Sequence, residues 1–380
     1  MQTNQKKMRV LQIDFSYPEN NYSLELDRQL LESCDITLFC KEGKLADEPA
    51  IRMIPAYREA ASNRAVTALR YANSLRRLRG LLLRGHFDIV HVQFFKKPFV
   101  EIPLLLRCRR AFPCLVTTVH NVLPHEATAR DVDIFNRLFD SSDALLVHNE
   151  ATRAALLERF PALQADKILQ IAHGAYGSYD LSAARRDDDP RRHFLTFGGI
   201  RPYKGIDTLL RAVALLPPEA RQKARFLVAG KQYPALDPTD YRQMIETLGI
   251  GDCVTFSPER VADEDVPALL GNADVGVFPY RHIYGSGALL MNYTFGVPVI
   301  ASDIPAFREE TNGGETGLLF RADDPEALRN ALLCAIDWDE ARLASYRAAI
   351  RRLVAEKYNW AVSGRKLSAL YRRLLEEHSS

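Results

Sequence analysis

Two cations on a short turn flanked by glycines are the first residues with chemistry in them. The run Phe197-Gly198-Gly199-Ile200-Arg201-Pro202-Tyr203-Lys204-Gly205-Ile206-Asp207 ends a strand, turns on paired glycines and holds Arg201 and Lys204 ahead of a helix. Arginine offers a planar fork and lysine a compact point charge, a pair that suits a diphosphate. A solvated turn with surface cations would use the same residues. In Tyr284-Gly285-Ser286-Gly287-Ala288-Leu289-Leu290-Met291, small residues open an apolar helix whose free amides and dipole favour an anion. Close packing at the helix start would ask for the same glycines. A third group, His120, Asn121, His125 and Glu126, lies just past a strand of the first half. Imidazole and carboxylate both suit acceptor contacts or proton transfer. The spacing of five between His120 and His125 is not that of a metal-binding helix, and no metal is expected. Asp14, ending the first strand, either orients an acceptor or caps the following turn. His173-Gly174 falls where the chain changes domains and is expected to line the binding crevice.

Parallel α/β units would position these groups, because short apolar runs alternate with longer helical patterns. Strands are predicted at 8–15, 36–40, 88–93, 115–120, 144–148 and 168–171, then at 194–197, 225–229, 254–256, 274–278 and 298–301. Helices are predicted between them, and the tail from 339 to 377 reads as helical with a break near Tyr358–Trp360. The polar stretch His173–Pro190 reads as an interdomain linker. We therefore expect domains at 1–175, joined by a terminal helix 359–380, and at 176–358. Doubly wound domains facing each other would place ligands at the carboxyl ends of strands.

Several classes are disfavoured. A total of 380 residues with 47% hydrophobic and 26% charged is an ordinary globular chain, and a net charge of +2 is too small for a globally basic nucleic-acid binder. None of the six cysteines falls in a CxxC pair, so a cytosolic protein with reduced thiols is expected. No signal segment is visible, and the longest aliphatic patch, near Ile102–Leu106, is far short of the ~20 residues that span a bilayer. G-x-G-x-x-G after a first strand, a Walker A loop, H-E-x-x-H and G-x-S-x-G are all missing.

Taken in order, GGIRPYKG (198–205), Val228–Gly230, PYRHIYGSGALL (279–290) and GVPVIASD (296–303) resemble the nucleotide-binding half of GT-B glycosyltransferases, nearest to glycosyltransferase family four. Thr118–Asn121, Ile171–Gly174 and Tyr358-Asn359-Trp360 resemble elements of the first half and of the last helix, which in the family crosses back to the first domain. The resemblance implies two facing Rossmann-like domains and transfer of a sugar from a UDP- or GDP-sugar, with no cofactor beyond that co-substrate. It assigns Arg201 and Lys204, with Gly199, Ser286, Gly287, Ala288 and His173, to the donor, and His120 to the reacting sugar. His125 and Glu126 become candidates for acceptor contact or for the base of an inverting reaction; retention is the usual family outcome. The family's paired glutamates are replaced here by Ile283 and Met291, neither of which can accept a ribose hydrogen bond. A non-catalytic sugar-nucleotide-binding scaffold and a nucleotide-sugar epimerase or hydrolase are the rival readings.

Charge is uneven along the chain. From Arg58 to Arg110 twelve cations face three acids, and Arg70, Arg77 and Arg84 recur at sevens on one helix face. Ala65, Ala68, Leu69, Ala72, Leu75, Leu78 and Leu82 are expected to fill the opposite face. With Lys96 and Lys97 beside Phe94, Phe95 and Phe99, the stretch reads as a docking surface for an anionic membrane. The expected acceptor is a saccharide or polyprenyl-linked saccharide, and the expected place is the inner face of the cell membrane.

Overall fold

The computed structural model describes residues 6–18, 20–43, 45–56, 63–123, 128–176 and 188–379. The chain divides into two compact units, Met1–His173 with Trp360–Ser380, and Gly174–Asn359.

The first unit is built on seven strands: β1 (Met8–Asp14), β2 (Cys34–Cys40), β3 (Arg52–Pro55), β4 (Ile89–Phe94), β5 (Cys114–Thr118), β6 (Ala144–Val147) and β7 (Ile168–Gln170). They pair in parallel in the order β3-β2-β1-β4-β5-β6-β7. Order reverses between β1 and β4, which opens a crevice at their carboxyl ends. The strands read as apolar runs because both sheet faces are covered, and Val10, Leu38, Ile89, Val116 and Leu146 are all at most 1% exposed. The C-terminal helix Trp360–Ser379 joins this core through Leu367, Tyr371 and Leu374. It lies so close to the helix Tyr22–Arg28 that a Cβ on Gly364 would fall 2.3 Å from that of Gln29, and only glycine fits there.

The second unit repeats the plan with β8 (Arg192–Phe197), β9 (Ala224–Ala229), β10 (Val254–Ser257), β11 (Val275–Phe278), β12 (Val299–Ser302) and β13 (Gly317–Phe320). The order β10-β9-β8-β11-β12-β13 again reverses beside the first strand, between β8 and β11. Phe194 and Phe226 stack at 4.8 Å in its core, with Leu210, Val275, Ile300 and Leu332 around them. Each such buried side chain contributes roughly 1.5–3 kcal/mol relative to leaving it in water.

Five strands or α-helices were not expected from the sequence, one of them the five-residue helix Pro218–Gln222. β3 and β13 are four-residue edge strands, too short and too little buried to show an apolar run. The helix Pro98–Arg107 carries Pro103 in its interior, and the helix Pro305–Glu310 is only six residues long. The helix Arg64–Arg84 also corrects the predicted packing. Its buried side is Tyr71, Ser74, Leu78 and Leu82, whereas Ala65, Ala68, Ala72 and Leu69 are exposed, the last by 70%. Of the linker predicted at His173–Pro190, the part at 177–187 lies outside the described residues.

Candidate functional site

In the second unit, β8 and β11 flank the point where strand order reverses, and the loops leaving both strands meet there. β8 runs into Gly198-Gly199, the three-residue turn Pro202–Lys204, and the helix Ile206–Ala214. Gly205 adopts φ 63°, and a Cβ there would fall 2.0 Å from the carbonyl oxygen of Pro279 in the loop after β11, so only glycine permits the approach. Arg281, from that second loop, fastens the two together. Its Nη1 donates to the Pro202 carbonyl at 2.7 Å, and its Nη2 donates to both Asp207 oxygens at 2.8–2.9 Å and lies 3.0 Å from Asp323. Its backbone N–H donates to the Tyr203 carbonyl at 2.7 Å.

This frame holds two cations with little to bind. Lys204 is 6% exposed, with Nζ 3.5 Å from the Phe197 carbonyl and 5.1 Å from the Tyr280 ring centre. Burial lowers its ammonium to about 8, with the Arg201 charge adding to the effect. The Arg201 guanidinium lies 4.2 Å from the Tyr233 ring centre, and its Nη1 is buried without a hydrogen-bond partner. A buried, unpaired cation is costly unless an anion completes it.

The helix Gly287–Thr294 starts beside this pair. A Cβ on Gly198 would lie 3.0 Å from Lys204 Nζ and 3.8 Å from the Ala288 Cβ, so the glycine turn, the lysine and the helix start are adjacent. Ser286 caps the helix by accepting the Leu289 N–H at 3.2 Å, and its own N–H donates to Glu310 at 3.0 Å. The amides of Gly287 and Ala288 have no intrahelical acceptor and carry the positive end of the helix dipole. Glu310 is buried, its second oxygen has no partner, and burial pushes its carboxyl up to about 8. At neutral pH it is therefore mostly uncharged and does not repel an anion at the helix start. Arg201, Lys204, Gly199, Ser286, Gly287 and Ala288 thus all belong to this one region. Met291 is 8% exposed and packed with Leu195, Val266 and Leu270, so its side chain faces core.

His173 belongs instead to the first unit, in a cluster of rings with Tyr22, His148 and Trp360 at centroid distances of 5.0, 5.7 and 5.2 Å. His120, just past β5, stacks on Phe94 at 4.0 Å and meets the edge of Tyr22 at 4.7 Å. Both its nitrogens have partners inside the unit: Nδ1 lies 3.0 Å from His148 Nε2, and Nε2 lies 3.3 Å from Gln93 Oε1. Burial, and then the neighbouring histidines, hold it well below the ordinary imidazole range. His120 also lines a cavity of about 220 Å³ with Gln93, Phe94, Thr118, Asn121 and Phe135. His125 and Glu126 lie outside the described residues.

Asp14 is fully buried and turned to structure. Its Oδ1 accepts from the Ser16 N–H and hydroxyl and from the Tyr17 N–H, and its Oδ2 accepts from the Ser23 hydroxyl. Lys96 and Lys97 are exposed, and their backbone N–H groups donate to buried Glu101 at 2.8 and 2.9 Å. Glu101 also accepts from the Tyr71 hydroxyl at 2.6 Å, which ties the lysine turn to the helix Arg64–Arg84. Arg70, Arg77 and Arg84 are exposed on that helix, with Arg77 donating to the Pro55 carbonyl. Sequence reasoning missed Arg281, Glu310 and the partners of His120. The signal for the last was polar residues inside apolar strands: Gln12 in β1, and His91 and Gln93 in β4.

Comparisons with known proteins agree with this geometry. Residues 191–337 match the model described as "Glycosyl transferases group 1", and residues 20–175 match "Glycosyltransferase Family 4". A D-inositol 3-phosphate glycosyltransferase of Corynebacterium glutamicum is 27% identical over 308 residues, covering 75% of this chain and 72% of its own. A counterpart from Corynebacterium efficiens is 29% identical, covering 62% of this chain and 57% of that protein. A lipopolysaccharide core biosynthesis mannosyltransferase of Rhizobium meliloti is 31% identical over about half of each chain, 49% of this one and 53% of the other. Among solved structures, sucrose-phosphate synthase from Thermosynechococcus elongatus superposes with a TM-score of 0.76 at 19% identity, over 98% of this chain and 100% of that one. WaaG, a glycosyltransferase involved in lipopolysaccharide biosynthesis, superposes at 0.70 and 16% identity, over 96% and 99%. The two family matches together span most of the chain, and the cation turn, the helix start and every strand but β1 fall within them; the chain belongs to the GT4-like glycosyltransferases of the GT-B fold.

Proposed function

We propose that this glycosyltransferase moves a sugar from a UDP- or GDP-linked donor onto a saccharide or lipid-linked saccharide at an anionic membrane surface, with retention. The observation that carries the reading is the pair of under-partnered cations, Arg201 and Lys204, held by Arg281 beside the start of the helix Gly287–Thr294. Negative charge builds on the leaving diphosphate as the glycosidic bond breaks. Fixed cations and amides in a partly dry site stabilise that charge without reorganising. His120 acts at the sugar or at the attacking hydroxyl; its 3.3 Å contact with Gln93 is the longer of its two and the easier to exchange for substrate. His125 or Glu126 would be the base of an inverting variant. The exposed Phe99 and Val100 beside the Lys96-Lys97 turn, and the exposed Leu69 on the arginine-bearing helix, support membrane docking, and among the described residues no helix is long and apolar enough to cross a bilayer. All six cysteines are free, which suits the reducing cytoplasm.

One observation favours a non-catalytic binder: Met291, at a position where the family carries a ribose-binding glutamate, packs into the core. Incubation with UDP- and GDP-sugars decides between the readings. Transfer predicts sugar release that rises with added acceptor and falls about 100-fold or more in His120→Ala, with nucleotide affinity nearly kept. No release from any donor would favour the scaffold, and full turnover without acceptor would favour a hydrolase.

A further inference from the structure

A polar chain runs through the interior of the first unit, and counting its protons gives a role to a buried acid not used above. Asp27 is wholly buried, with Oδ1 2.8 Å from Gln12 Nε2. Gln12 Oε1 lies 3.1 Å from Gln93 Nε2, and Gln93 Oε1 lies 3.3 Å from His120 Nε2. His120 Nδ1 is 3.0 Å from His148 Nε2, and His148 Nδ1 is 3.0 Å from the Ile171 carbonyl oxygen. The second Asp27 oxygen is buried with no hydrogen-bond partner.

The Ile171 carbonyl only accepts, so His148 Nδ1 carries a hydrogen, and the link between the two rings needs one more. With both amides oriented as above, His120 Nε2 must carry a hydrogen too. That makes three N–H groups on two rings, an imidazolium separated by two glutamines from an ionised Asp27. Amide oxygen and nitrogen are assigned from the network around them, and reversing both amides keeps every link. Gln93 then donates to His120 Nε2, Gln12 donates to Gln93, and the Asp27 hydroxyl donates to Gln12. The same protons are present and no charge is buried. The unpartnered oxygen becomes a neutral carbonyl rather than half of an anion. Burying two separated ions costs several kcal/mol each, so the neutral chain wins. His91 accommodates it: its Nε2 carries the hydrogen and faces both the Thr118 hydroxyl at 2.8 Å, which accepts, and the reversed Gln93 oxygen at 3.2 Å, while its Nδ1 accepts from the Tyr371 hydroxyl at 2.6 Å.

We propose that Asp27 is a protonated positioning residue whose O–H orders Gln12 and Gln93 and so fixes His120 as the neutral Nδ1–H tautomer, with its Nε2 lone pair toward Gln93. The importance of that tautomer to the reaction rests on the part given to His120 above. Burial pushes the Asp27 carboxyl up, with Asp14 adding to it, and pushes His148 down to about 4, in the sense the neutral chain requires. The other titratable neighbours are Tyr22, Cys34 and Tyr371 on the side of Asp27, and His91 and His173 on the side of the imidazoles.

Side-chain nitrogen NMR of the full-length protein labelled on histidine, at pH 7, tests this without any substrate. The parent should show His120 with Nδ1 protonated and Nε2 bare. Asp27→Asn should show the same, because its amide N–H donates to Gln12 as the acid does, and its pH profile of sugar turnover should match the parent. Asp27→Leu removes the donor; His120 should shift to a mixture of tautomers and the profile should move. If that variant does not fold, the parent and Asp27→Asn spectra decide alone. A protonated His120 Nε2 in the parent, or an Asp27→Asn protein in which His120 changes state, would mean a working carboxylate and overturn the proposal. Absence of sugar turnover with the expected tautomer intact would count against the function and not against the assignment of Asp27.

Discussion

Glu310 shows how much a single buried acid can say about this site. Its carboxyl accepts the Ser286 N–H under the helix start, and burial raises it from 4.5 to about 8. The folded chain therefore binds an extra proton between those values. Its contribution to stability is fully present below 4.5 and is lost as pH rises through 8. Glu310→Gln keeps the acceptor and cannot ionise, so thermal unfolding of the parent should weaken between about pH 5 and 8 more than that of the variant; parallel slopes would contradict the assignment. His148, lowered to about 4, acts with the opposite sign, its contribution being lost as pH falls from 6.5 toward 4; the variant keeps it, so it cancels in the comparison. Arg201 and Lys204 were legible in the sequence because glycines bracket them on one short loop. Arg281 and Glu310 were not, because each acts on a loop distant in sequence, and no local pattern records a contact across a sheet.

At the scale of elements, the helix Arg64–Arg84 is the clearest case of a pattern read partly right. The sevenfold spacing of Arg70, Arg77 and Arg84 did predict an exposed basic face. The apolar face was misplaced, since Tyr71, Ser74, Leu78 and Leu82 are buried and Leu69 is 70% exposed. Alanines and leucines occur all round this helix, so periodicity alone could not choose which of them faces the sheet. An exposed leucine among arginines strengthens the case for a membrane face. Vesicles containing anionic lipid should bind the protein, neutral vesicles should not, and added salt should release it. Arg70→Glu with Arg84→Glu should weaken that binding by roughly 2–4 kcal/mol, at about 1 kcal/mol per charge near the surface, while leaving nucleotide affinity unchanged. Equal co-sedimentation of parent and double variant would return the stripe to a solvated helix face.

For the whole molecule, alternation of apolar runs and helical patterns sufficed to read two α/β units, because strands buried on both faces leave a strong signature. Strand order was not legible. It depends on which strands pair, and the edges β3 and β13 were invisible to local pattern. Yet order decides where chemistry goes, since both sheets reverse beside their first strand, and the loops leaving β8 and β11 bring the cations and the helix start together. The central claim, a diphosphate clamp in the second unit, is tested most directly by calorimetric titration of UDP and GDP into the parent, Arg201→Ala and Lys204→Ala proteins. One nucleotide should bind the parent, and each substitution should weaken it by about 1.5–3 kcal/mol. Because the Lys204 ammonium is held to about 8, the parent's affinity should also decline above that pH, a decline absent from Lys204→Ala. Equal binding of UDP and GDP by all three proteins, with no such pH dependence, would contradict the account.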